Sequence, residues 1–179
     1  MQRSTIDKLV STLGAVIAVV LLLLSAVLGF AYSFVHGQVY DQLSAQQIYF
    51  PARGSAGLNS LPTADKSAVS KYAGQKLTTG AQAAVFANHY IAVHLKEIGG
   101  GKTYSELSAQ AQADPTNTAL VGKVETVFKG ETLRGILLNA YAFDTMATVA
   151  GIAAIGAFIG GIIFIILAVL GFNHAKKAA

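Results

Sequence analysis

LVSTLGAVIAVVLLLLSAVLGFAYSFV, residues Leu9 to Val35, holds no charged side chain. Near the other end ILLNAYAFDTMATVAGIAAIGAFIGGIIFIILAVLGF, Ile136 to Phe172, holds one, Asp144. A bilayer core about 30 Å thick is crossed by roughly 20 helical residues rising about 1.5 Å each. Both runs exceed that, and nothing apolar on that scale lies between them. The expected fold is an all-α membrane protein, with two transmembrane helices flanking a small, mainly helical extracytoplasmic domain. The segments are a tail over 1–8, a first span over 9–35 and an outer domain over 36–135. A helix entering and forming the second span covers 136–172, and a tail covers 173–179.

Composition follows from that layout. The chain has 179 residues, 53% hydrophobic and 12% charged, against about 25% charged in a soluble domain. Net charge is +4, and its placement matters more than its size. Arg3, Lys8, Lys176 and Lys177 flank the spans against one acid, Asp7, while the middle is close to neutral. Short basic tails stay cytoplasmic and long loops translocate largely regardless of charge. The expected localisation is therefore the plasma membrane, multi-pass, with both termini cytoplasmic and the middle outside. No basic stripe marks a nucleic-acid face. Cysteine is absent, which removes disulfide staples and thiolate chemistry. A secretory signal has an apolar core of about 7–15 residues. The first run is longer, so an uncleaved anchor is expected despite the small residues at Gly29-Phe30-Ala31.

The first helix is expected to continue as a polar extension through Gln38–Gln47. Ile48-Tyr49-Phe50-Pro51 then forms an extended segment pressed on a helix, because Pro51 moves Phe50 off helical angles. The Gly-, Ser- and Pro-rich stretch to Asp65 is irregular chain, with a short helix near Lys66–Tyr72. Thr79 with Gln82, and Thr103 with Glu106, fit capping boxes that open two further helices. The first ends at Gly99-Gly100-Gly101 and the second near Ala113. A third starts near Asn117 and flows into the second span, as one bent helix or two.

Several residues invite a chemical reading. Gly99-Gly100-Gly101-Lys102-Thr103 resembles a phosphate loop, but Lys96 stands where the first glycine belongs and a helix precedes it. No nucleotide is expected. His89, His94 and Glu97 are weak metal candidates. A zinc helix wants histidines four apart, and a five-residue step turns about 140° on a regular α-helix. No metal, cofactor or catalytic constellation is expected. Asp144, with Arg134 and Asn139, forms a possible polar interface. Asp144 either sits at the outer membrane edge or pairs with Arg134 or a partner's cation. In the second span Gly151, Ala153, Gly156, Ala157, Gly160 and Gly161 stand at four-residue spacings that let helices approach in lipid.

Tyr72–Gln75 (YAGQ), Phe86–Tyr104 (FANHYIAVHLKEIGGGKTY), Gly130–Phe143 (GETLRGILLNAYAF) and Leu170–Lys177 (LGFNHAKK) resemble a group of small two-pass actinobacterial membrane proteins. The resemblance implies a span, an outer domain and a second span in a plasma membrane. It transfers no active residues. Some of the group carry an aromatic-ring-opening dioxygenase label, which the spacing of His89 and His94 does not support, since a non-haem iron site needs two histidines and a carboxylate on one face.

The function expected is that of a non-enzymatic membrane protein, a structural or accessory subunit that docks on a larger membrane complex or on copies of itself. Its partners would be the lipid bilayer and other membrane subunits or a homo-oligomer. An extracytoplasmic ligand-binding or sensing module working through a partner is the alternative. A metal-dependent extracytoplasmic enzyme is the second.

Overall fold

A computed structural model describes residues 3–177. It is all-helical apart from one isolated antiparallel bridge, Tyr49 to Lys76. The helices are α1 (Arg3–Ala45), α2 (Ala56–Asn59), α3 (Thr63–Ser70), α4 (Gly80–Val85), α5 (Ala92–Ile98), α6 (Tyr104–Ala113) and α7 (Thr118–Lys177). A π-helical segment, Phe86–Ile91, joins α4 to α5.

The chain divides into two compact units. One comprises Met1–His36 with Met146–Ala179, the other Gly37–Thr145. The first is an antiparallel helix pair. Ser25 Oγ of α1 donates to the Ala154 carbonyl of α7 at 2.9 Å. Asp7 near the start of α1 meets His174 near the end of α7. The covered positions repeat by seven. On α1 Ser4, Ser11 and Ala18 are buried, with Ser25 half-buried next in the series. On α7 they are Ala147, Ala154, Gly161, Ala168 and Ala175. A seven-residue repeat is that of a left-handed helix pair, and small residues on it let two backbones approach.

The other faces of these helices turn large apolar groups outward, among them Leu13, Val20, Phe30, Ile152 and Phe158. The most apolar 18-residue stretch of each has mean hydropathy 2.8, and only 6% and 17% of the two stretches is buried. Both helices are long and apolar enough to cross a membrane.

The second unit builds its own core. Leu77 and Val69 are fully buried, with Phe50, Leu58 and Phe86 close to it. Phe50 N donates to the Gln75 carbonyl and Leu77 N to that of Ile48, pinning the extended segment beside Lys76. The Phe50 ring packs against Tyr72 and edge-on to Phe86, so that segment lies on the helical run as expected. Both capping boxes are present.

Three local features differ from the sequence reading. The Gly/Ser stretch contains one helical turn, α2, because Ser55 caps it by accepting from Leu58 N. α3 begins at Thr63 rather than near Lys66, where Pro62 supplies the entry. The run from Gly80 to Ile98 is not regular α, since the π-helical segment widens its middle turn. α7 runs unbroken from Thr118 to Lys177.

Candidate functional site

The polar residues of the middle unit fall into separate local arrangements. His89 lies on the π-helical segment. Its Nδ1–H donates to Asp65 Oδ1 of α3 at 2.8 Å, with the imidazole 40% and the carboxylate 24% exposed. His94 Nδ1–H donates to the Tyr90 carbonyl at 2.8 Å, and its ring packs on that of Tyr90. Tyr90 stacks on Phe86, which meets Phe50 and through it Tyr72. An aromatic file thus runs from the unit's core to a partly exposed histidine.

The π-helical segment changes the sequence argument about these histidines. The 140° step assumed a uniform α-helix, and a wider turn alters it. What separates them is their hydrogen bonding, since His89 is held by α3 and His94 by its own helix. Glu97 is exposed, and the bond made by His94 is to a backbone oxygen rather than to Glu97. Among the described residues no three His, Cys, Asp or Glu side chains gather as a metal would require.

The glycine-lysine loop acts in helix stop and start. Gly99, Gly100 and Gly101 N–H groups bond to the carbonyls of Leu95, Glu97 and Lys96. Gly100 and Gly101 have φ of 61° and 80°, angles that suit glycine at a helix end. Lys102 Nζ donates to Gln110, and Thr103 caps α6.

Asp144 has a partner that the sequence reading did not name. Its Oδ2 accepts from the Gly80 N–H at 3.1 Å. Gly80 is the first residue of α4, where backbone donors lack helical partners and a negative charge is favoured. The approach is close, because a Cβ on Gly80 would lie 2.4 Å from Asp144 Cβ. Thr79 and Gln82 satisfy neighbouring donors, with Gln82 Oε1 accepting from Thr78 N and Thr79 N. Asp144 therefore completes the cap of the histidine-bearing run. A glycine directly after an N-cap threonine is the one sequence signal that pointed there.

The suggested pairing of Asp144 with Arg134 does not fit. Ten residues of continuous helix separate them by about 15 Å. Arg134 instead donates to Glu131 and to Asn88, each at 3.3 Å, and Asn139 is exposed. The three do not form one polar interface.

The small-residue ladder is split in the same way. An added Cβ at Gly161 would lie 2.9 Å from Leu22 and 3.4 Å from the Ala18 carbonyl. At Gly151 it would press the Tyr32 ring, and at Gly160 it would touch Leu21. Gly156 meets nothing within 4 Å, Ala153 is exposed and Ala157 is half-buried. Gly151, Gly160 and Gly161 thus serve the pair, while Gly156 and Ala153 lie off the buried seam.

Comparison with known protein families, curated proteins and solved structures returns no match. The likeness to small actinobacterial membrane proteins rests on the sequence stretches alone.

Proposed function

We propose that this chain is a non-enzymatic, two-pass plasma-membrane protein that acts as a structural or accessory subunit, docking on other membrane subunits or on copies of itself. The observation that carries this is the outward apolar surface of α1 and α7, of whose most apolar stretches only 6% and 17% is covered by the chain. Such a surface needs a solvent other than water, and a bilayer supplies it. Both termini lie in the cytoplasm on this reading, since the excess basic charge sits at the ends, and the middle unit faces outward. The actinobacterial resemblance has the same layout.

Docking is favoured by what the seam leaves unused. Gly156 and Ala153 face away from α1 and let a further helix approach closely. The polar groups of the middle unit serve caps and cross-ties: Asp65 holds His89, Asp144 holds Gly80 and Asn88 meets Arg134. They build the unit rather than converge on a point where a substrate would sit.

The test is crosslinking in native membranes, then affinity purification in mild detergent with mass spectrometry and mass measurement of the particle. A stable heteromeric or homomeric assembly is expected. A strictly monomeric particle without crosslinked partners overturns the reading, as does recovery in the aqueous fraction after lysis.

A further inference from the structure

The middle unit is close to neutral as a whole, but its charge is segregated. The lobe between α1 and α4, residues 46–79, carries four cations, Arg53, Lys66, Lys71 and Lys76, against one acid, Asp65. Residues 80–145 carry five cations against six acids. There charges pair along the helix, Lys129 with Glu125 and Arg134 with Glu131. In the lobe the single carboxylate is taken by His89. Among the described residues none of the lobe's four cations meets a carboxylate. Arg53 and Lys71 are exposed, and Lys66 and Lys76 are half-buried.

The lobe's own bonds bring the stretches that bear these cations together. Asn59 Nδ2 donates to the Gly54 carbonyl at 3.0 Å, and Asn59 Oδ1 accepts from Lys66 Nζ at 2.8 Å. That sets Lys66 beside the turn that carries Arg53. Two residues before Arg53, the Pro51 carbonyl accepts from the N–H of Gly74 at 3.2 Å, and Gly74 lies between Lys71 and Lys76. The antiparallel bridge from Tyr49 holds Lys76 to the same segment. Phe50, Leu58, Leu61, Val69 and Leu77 supply the buried apolar side chains of the lobe.

We propose that this lobe is a docking surface for a linear polyanion, a polymer with an anionic group on each repeat. One exposed cation raises the affinity for an anion by about fivefold at most, so a lone anion gains little from any of the four. A chain that engages several at once gains from each, because every later contact is intramolecular. The cations are strung over three stretches rather than gathered at a point, which suits a ligand that repeats its charge. The unbalanced positive charge also raises the local concentration of such a polymer. The inference takes its location from the membrane reading, which puts the lobe, and so the polymer, outside the cell.

The experiment places the full chain in nanodiscs of zwitterionic lipid. R3Q, K8Q, K176Q and K177Q are built in, so that the basic tails do not compete and the lobe is left as the cation-rich region. The probe is fluorescently labelled long-chain inorganic polyphosphate, followed by anisotropy. Polyphosphate binds, and binding weakens as salt is raised. R53Q, K66Q, K71Q and K76Q each weaken it by about two- to fivefold, and the four together by about fifteenfold or more. K66R/K71R/K76R keeps the affinity, and K123Q, outside the lobe, changes it by less than about 1.5-fold. Circular dichroism is unchanged throughout, and if the combined variant unfolds the single variants decide. Absence of binding overturns the surface, as does binding that survives the loss of all four cations. Displacement by orthophosphate at equal phosphate concentration overturns it in favour of a single-anion site, and tighter binding of oligothymidylate of equal charge in favour of nucleic acid. A chain that never enters nanodiscs overturns the membrane reading as well, whereas one that enters and does not bind polyphosphate overturns the surface only.

Discussion

Where Gly161 lies against Leu22 and Ala18, the paired helices leave no room for a side chain. Where Phe50 meets Tyr72 and Phe86, the middle unit is filled by large rings. The pair buries small residues and turns large ones outward. The middle unit does the reverse, with Leu77, Val69 and Phe50 inside. On the proposed membrane reading, the contrast follows from the solvent each unit meets. In water, removal of apolar area drives packing at about 25 cal/mol per Å². Between helices in lipid that drive is absent, and close backbone approach with an occasional hydrogen bond takes over, as with Ser25 and the Ala154 carbonyl.

The largest expected effect tests the middle unit's half of this contrast. Phe50→Ala removes the ring that links the extended segment to the helical run, and truncation of a buried Phe costs about 3–5 kcal/mol. Leu23→Ala, at a position 63% exposed on α1, changes folding stability by about 0.5 kcal/mol or less. Denaturation followed by circular dichroism in mild detergent measures both. Equal losses would remove the distinction between the units.

The converse substitution targets the pair. Gly161→Leu places a side chain where even a Cβ lies 2.9 Å from Leu22, and overpacking costs about 1–3 kcal/mol. Gly156→Leu, on the open face of the same helix, leaves the pair intact. A disulfide-trapping assay between cysteines placed at positions 25 and 154 reports helix proximity. Trapping should fall for Gly161→Leu and persist for Gly156→Leu. The opposite pattern would move the seam to the Gly156 face.

These contrasts also mark what was legible in the sequence. The long apolar runs, the helical continuation of α1 and both capping boxes were visible because each is set by neighbours within a few residues. The seam was harder. Four-residue spacing draws the eye to Gly156 and Gly160, yet the buried stripe repeats by seven, through Ser4, Ser11 and Ala18 and through Ala147, Ala154 and Gly161. That repeat was written in the chain but at a different period. The partnerships of His89 with Asp65 and of Asp144 with Gly80 join residues 24 and 64 apart. No local pattern encodes them, because they depend on how the helices pack. The π-helical segment was hidden for the same reason, since nothing in FANHYI distinguishes it from an α-turn.

The smallest effect is electrostatic and confined to α6. Hydrogen bonds from the Thr103 backbone N–H and hydroxyl hold the Glu106 carboxyl below its ordinary value, with a smaller contribution from the Lys102 charge. A carboxyl with a depressed folded-state pKa adds stability above its unfolded pKa and loses it as pH falls through the folded value. The helix start should therefore loosen only on acidification below the ordinary carboxylate range. Glu106 is fully exposed, so the effect is small and screened by salt. Carboxyl-carbon NMR titration should place Glu106 below a free glutamate, and Thr103→Ala, which removes the hydroxyl but keeps the backbone N–H, should return it part of the way. Glu125, lowered chiefly by its hydrogen bond with Lys129, serves as the control and should not respond to Thr103→Ala. If Glu106 titrates normally in the unaltered chain, the capping box is not populated in solution, and one local device that sets the middle unit apart from the helix pair is lost.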